Sequence, residues 1–398
     1  MWTDCLGNPV TVRDARSVAA VDDFVEGFIA SEARAVNVLA AAGHDDSPIV
    51  QACAAAVHMF AESRDAPMNA RPFLERACAR ADEATPREQR FIGAVGAWVE
   101  GDIPRAIRLH EEQAREFPRD LASVKLGQYH LFNVGDSPGM LRIALHARDA
   151  AADVAYLHGM LAFGFEQCHQ LAEAEASARR AIAIRRKEPW AHHAIAHVML
   201  TQGRHREGSE FMQSVSDTWT GLNSFMVTHN WWHRALFGIE LGEYGEVLRM
   251  HDERVWGVAK EYTQDQVNAV SLLARLELAG VDVGGRWQDV AAYLAARTSD
   301  HVLPFLDVQY LYGLARAGRP EADVLMRSIE SHAARSGGVW KDVALPTARG
   351  MLAHARRDFS RAAEQLGRAL PRMAGIGGSH AQRDLFTRIH RDAVARSR

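Results

Sequence analysis

Long apolar runs, paired cysteines, strand-like alternation and an excess of charge of either sign are all scarce in this 398-residue sequence. No segment approaches the ~20 apolar residues that a membrane-spanning helix needs, so no helical membrane anchor is expected. The opening stretch, Met1 to Val10, is mixed in character and carries Asp4, unlike a secretory signal, and a cytoplasmic location is the expectation. Forty-six basic residues stand against fifty acidic ones, a formal net charge of −4, without the basic surplus that binds nucleic acid. Cys5, Cys53, Cys78 and Cys168 are far apart and form no Cys-x-x-Cys pair. Three of them fall in apolar helical stretches, and all four read as reduced thiols.

Familiar catalytic signatures are missing as well. Gly284-Gly285-Arg286-Trp287 lacks the Gly-Lys-Ser/Thr ending of a phosphate-binding loop and follows no strand, so it reads as a turn before a helix with Trp287 packed inward. No Gly-x-Ser-x-Gly nucleophile turn occurs. His193-Ala-Ile-Ala-His197 has the histidine spacing of a zinc-protease helix without its glutamate.

What is abundant is helical periodicity. Phe91, Ala94, Val95 and Trp98 form one apolar face, and Leu272, Leu273, Leu276 and Leu278 another. Gly101, Gly135, Gly203, Gly242, Gly280 and Gly318 each sit where one helix ends and the next begins, as a C-cap glycine does. Their separations are 34, 68 (two units), 39, 38 and 38 residues, with the missing turn near His169 and a later one near Asp358. A period of 34 to 39 residues belongs to stacked helix–turn–helix units, and 34 is the tetratricopeptide length. One unit is expected over Arg87–Pro118 and another over His158–Pro189. The predicted fold is all-α: a right-handed α-solenoid of tetratricopeptide-like helix pairs, with residues 1–83 as a helical N-terminal cap and 84–398 as one continuous array. The first helix of each unit is expected to line a concave groove.

Histidine is the other abundance, nineteen in all. His130, His158, His192, His193, His197, His229 and His233 fall in first helices. His193 and His197, like His229 and His233, are four residues apart and share a helix face. The expectation is that both pairs line one groove, with Glu166 and Asp307 on its wall. Hydrogen-bonded histidines packed between helices, with a tryptophan neighbour such as Trp232, are the structural alternative. Four at matched positions weigh towards function, because buried polar groups are costly unless paired. Near the C-terminus, Ser379 and Gln382 form a capping box behind Gly377 and Gly378. That box does not require His380, Arg383 or Asp384, which suit an anion at a helix N-terminus.

These segments resemble the tetratricopeptide repeat protein 38 family, as a bacterial member, from about Glu88 to Ala393 in the same order. The resemblance is carried by Ala162 to Glu166, Trp190 to His197, Glu210-Phe211-Met212, His229-Asn230-Trp231-Trp232-His233, Gly285 to Asp289, and Gly377 to Phe386. It implies a helical-repeat fold and brings no established reaction. Its polar pattern falls on His193, His197, His229, Asn230, His233, Asp307, His380, Gln382, Arg383 and Asp384. Where the family has a histidine two residues after the aspartate, this chain has Gln309, a poor zinc ligand, and no firmly bound metal is expected.

The functional expectation is a small-molecule site, catalytic by hydrolysis or proton transfer, in the groove. His193, His197, His229, His233, Asp307, His380 and Arg383 are assigned catalytic roles; Glu166, Asn230, Trp232, Gln309, Gln382 and Asp384 are assigned substrate contacts. The alternative is a tetratricopeptide-type scaffold for a protein or peptide partner. Scaffold grooves typically offer Asn, Lys and Arg, whereas this chain offers His, acid and Trp. No nucleic-acid or membrane partner is expected.

Overall fold

Helix boundaries follow local chemistry closely. Thr85 caps the helix Pro86–Val99, with Glu88 closing a capping box and Pro86 in the first turn, where a missing N–H costs nothing. Asp102 caps the helix Ile103–Glu116 through its carboxylate, and Gly101 makes the turn between the two. All six glycines singled out by spacing have positive φ, between +68° and +83°. The two turns without glycine are made by His169 (φ +57°) and Arg357 (φ +66°), non-glycine residues in the same left-handed conformation.

The computed structural model describes residues 2–397, an all-α chain of helical hairpins with twenty-one α-helices among the described residues. The expected unit over Arg87–Pro118 is the pair Pro86–Val99 and Ile103–Glu116; that over His158–Pro189 is the pair Ala155–Gln167 and Leu171–Ile184. Small residues on second helices (Ala106, Ala174, Ala178, Ala181, Ala362) are fully buried, letting paired helices approach closely. Periodicity did not reveal one feature, a short antiparallel strand pair, Trp2–Thr3 with Pro9–Val10. Within the N-terminal segment, Ser31 (φ +56°) ends the helix Ala15–Ala30. Only Cys53 among the cysteines is buried, whereas Cys78 lies on the outer face of its helix and Cys168 caps one.

The chain falls into two compact units. One comprises Met1–Phe132, Asp136–Val198 and Ser214–Met226; the other Asn133–Gly135, Met199–Gln213 and Val227–Arg398. The first holds its late segment through backbone bonds, Ala33 N–H to the Gly221 carbonyl (2.9 Å) and Asn223 N–H to that of Ser31 (2.7 Å). Phe24, Leu126, Ile143 and Leu157 are among its core residues. The core of the second includes Trp232, Leu272, Tyr310, Leu314 and Phe386. No helix of the described residues is long and apolar enough to cross a membrane.

Candidate functional site

Four-residue spacing stacks side chains on one helix face, and both histidine pairs obey it. In the first unit, His193 and His197 lie on the helix Pro189–Thr201 with rings 4.5 Å apart and nearly perpendicular. Their Nε2 atoms are 3.1 Å apart. Behind them, Glu166 Oε1 is 3.4 Å from His197 Nδ1, and the Gln167 amide donates to the other carboxylate oxygen. One of the two Nε2 atoms donates to the other, and the Glu166 carboxylate stands behind His197 at ion-pair distance. Glu166, His193 and His197 are all buried.

An aromatic wall flanks this series. The Phe163 ring is 5.0 Å from that of His193 and 5.7 Å from that of His197, and Trp190 meets His193 edge-on at 5.4 Å. Lys125 places its ammonium 3.3 Å above the Trp190 ring. Burial pushes Lys125 down from the usual lysine range and Glu188 up from the carboxylate range, each opposed by the other's charge. Sequence reasoning passed over both. A lone lysine between Val124 and Leu126, in a helix with no other lysine, arginine or carboxylate, was the available signal.

In the second unit, His229 and His233 lie on the helix Ser224–Glu240, rings 4.9 Å apart at 85°. Trp232 stacks flat on His229 (5.1 Å, 8°) and edge-on against His233 (4.8 Å), the tryptophan neighbour foreseen from sequence. His229 Nδ1 is 3.0 Å from the Asn268 side-chain oxygen, the Asn268 amide donates to Thr228 Oγ1 (3.3 Å), and that hydroxyl donates to Asp265 (2.9 Å). Each link has one permitted direction once the Asp265 carboxylate ends it as an acceptor. The relay therefore puts the proton of neutral His229 on Nδ1 and makes Nε2 the basic nitrogen. Asn230 is fully buried, and neither atom of its amide has a hydrogen-bond partner among the described residues. A native protein rarely leaves such a group without purpose.

Buried Arg275 joins this region to the last helix. Its guanidinium lies 5.8 Å from the Trp232 ring, pairs with Asp384 at 2.9 Å and donates to the Ala381 carbonyl at 2.6 Å. Burial works to raise Asp384, but Arg275 and Arg388 outweigh it and hold the carboxyl below its usual range. Asp384 is thus the counter-ion of two arginines, as an ordinary cap ion pair is. The Ser379–Gln382 capping box is present. Arg383 donates to the carbonyls of Gly377 and Gly378 and, at 3.3 Å, to His380 Nδ1, steadying the turn that opens the helix.

Asp307, on the helix Pro304–Arg316, is buried and bonded at 2.5 Å to Nδ1 of His301, a residue that sequence reasoning did not select. Gln309 turns its amide back to the Phe305 carbonyl of its own helix, at 3.4 Å. Asn268, Asp265, Arg275 and His301 come from other helices or loops and carry no local motif.

No family model matches the chain. Among solved structures, one chain of the Naa15/Naa10 complex bound to HypK-THB is similar over 96% of this chain and 62% of its own length, with 12% identity and a TM-score of 0.28. The present chain thus spans less than two thirds of that neighbour. The TPR domain of P58(IPK) is similar over 79% of this chain and 98% of its own, with 10% identity and a TM-score of 0.23. The fold description rests on the helical hairpins themselves.

Proposed function

We propose that this helical-repeat protein binds a small molecule at the His229–His233 region and performs proton-transfer chemistry there, with His229 as the base. The observation that carries this reading is the Asp265–Thr228–Asn268–His229 relay, which commits one imidazole nitrogen to the basic role. A general base needs that definition of tautomer and orientation. Asn230, with a buried unsatisfied amide one residue away, supplies a donor for a developing anion. The Glu166–His197–His193 series of the first unit is assigned chemistry of the same class. The resemblance to the tetratricopeptide repeat protein 38 family belongs to this reading.

Burial favours a small ligand over a peptide. His229, Asn230 and His233 are at most 3% exposed, and a partner helix would have to part the hairpins to reach them. A second reading, a tetratricopeptide-type scaffold, is favoured by the architecture, a succession of helical hairpins of a kind often used to bind partners.

Thermal shift against a metabolite library, run on the wild type beside His229→Gln and on a His233→Gln/His380→Gln double variant, separates the two. A ligand at 100 times its dissociation constant stabilises the native state by about 2.7 kcal/mol. The expected result is a compound that raises the melting temperature of the wild type and of neither variant. Failure of a broad library, with capture of one specific protein partner unaffected by these variants, establishes the scaffold instead.

A further inference from the structure

Away from the histidine pairs, the second unit holds another ordered set of polar side chains. His301 precedes the helix Pro304–Arg316 and has φ +49°, a left-handed backbone that L-residues seldom adopt. Its Nδ1 is 2.5 Å from Oδ2 of buried Asp307, and its Nε2 is 2.6 Å from Oγ of Ser328 on the helix Glu321–Ser336. The carboxylate can only accept, so Nδ1 carries the proton and Nε2 receives the serine O–H. A mid-helix serine commonly bonds a carbonyl of its own preceding turn; this hydroxyl is aligned on an imidazole instead. Ser328 and His301 are half-buried, while Asp307 behind them is fully buried. One helical turn beyond Ser328, His332 stacks on His301 at 4.8 Å, and Trp340 closes edge-on over both rings. The charge of Arg335 reaches His332 from the same helix.

We infer that Ser328, His301 and Asp307 form a nucleophile–base–orienting carboxylate set that hydrolyses small esters, a second activity independent of the His229 site. The roles follow from the geometry. Ser328 Oγ attacks the ester carbonyl carbon, forming a C–O bond as its proton passes to His301 Nε2. Collapse of the tetrahedral intermediate breaks the bond to the alcohol oxygen, which takes that proton from His301. Water then attacks the acyl-serine, again giving a proton to His301 Nε2, and releases the carboxylic acid with Ser328 restored. Asp307 is the positioning residue: it fixes the tautomer and supports the imidazolium in both steps. His332, one turn along the same helix from Ser328, lines the site beside His301, with its Nε2 3.1 Å from Ser336 Oγ. The His332–Trp340 wall suits an aryl or short acyl group. The arrangement is recognised by geometry alone, because the serine lies in no strand-to-helix turn and the order along the chain, His, Asp, Ser, has no local signature.

The experiment uses the full chain with a fluorophosphonate probe and, separately, p-nitrophenyl acetate. The expected result is one labelled peptide containing Ser328, an acetyl adduct on the same residue, and loss of both in Ser328→Ala with its melting temperature unchanged. His301→Gln is expected to lower the acylation rate by about 10²–10⁴. Asp307→Asn is expected to lower it as well and to change its pH profile, which the loss of a merely structural contact does not do. Should His301→Gln or Asp307→Asn unfold, Ser328→Ala alone decides the matter. Labelling that persists in Ser328→Ala, or no labelling of the wild type, overturns the assignment.

Discussion

His193 and His197 meet nitrogen to nitrogen with a carboxylate directly behind them, whereas His229 is backed by an amide, a hydroxyl and only then a carboxylate. Both pairs have the same spacing, four residues on a first helix, and both are buried. In the first, the Glu166 carboxylate lies 3.4 Å from the His197 ring. In the second, two neutral groups separate His229 from Asp265, so the relay fixes orientation while placing the charge further off. Identical spacing in sequence thus yields two kinds of histidine, and the difference resides in residues on other helices.

Acid offers the largest test of the contrast between the units. Burial holds His110 of the first unit down to about 3 and His192 to about 4, and His130 well below its usual range. In the unfolded chain such histidines titrate near 6.5. Below that pH the unfolded state binds protons that the folded state refuses, so stability falls with falling pH until the folded values are reached. The slope is about 1.4 kcal/mol per pH unit for each histidine. In the second unit, burial also lowers His251 and His354, but hydrogen bonds to Asp252 and Asp392 oppose it. Urea unfolding followed by hydrogen exchange at pH 7 and pH 5 is expected to show the first unit losing protection first. The contrast fails if the second unit opens earlier.

Asn268→Ala comes next in size. It leaves the buried Nδ1–H of His229 without its acceptor, at a cost of about 1–3 kcal/mol in chemical denaturation. Glu166→Gln is expected to cost less, below about 1 kcal/mol, because the side-chain oxygen that accepts from the Gln167 amide is kept. Equal losses from the two substitutions would show that orientation and charge are not divided between the pairs in this way. The smallest effect is spectroscopic. Long-range ¹H–¹⁵N correlation of the histidine rings is expected to show His229 as the Nδ1–H tautomer at neutral pH and a mixture in Asn268→Ala.

The fold was legible because its punctuation is local. A glycine with positive φ ends a helix whatever lies around it, and Ser379 with Gln382 writes a capping box within four residues. The two turns without glycine were located only as gaps in the spacing, since nothing in the identity of His169 or Arg357 announces a left-handed backbone. The N-terminal strand pair escaped notice because two residues per strand leave no alternation to read. The candidate site was half legible. Spacing revealed each histidine pair, since both members share one helix. Asn268 and Asp265 meet the His229 helix from about forty positions along the chain, and His301 reaches Ser328 across 27. Such partners are chosen by packing, which leaves no imprint on sequence periodicity. Asp307, selected from its place on a first helix, is bonded to His301, a neighbour that neither spacing nor resemblance had suggested.

The relay behind His229 also has a polarity. Every donor in it points towards Asp265, so the four groups behave as a single two-position element. Turning the Asn268 amide alone would set N–H against N–H at His229 and oxygen against the oxygen of Thr228. Reversal requires the imidazole proton, the amide and the hydroxyl to change together, and it requires Asp265 to take up a proton so that it has one to give. The resting orientation is therefore protected by concertedness, and the proton inventory of Asp265 is the latch. Occupancy of that carboxyl, some three bonded contacts away, decides which face of the imidazole is open to chemistry.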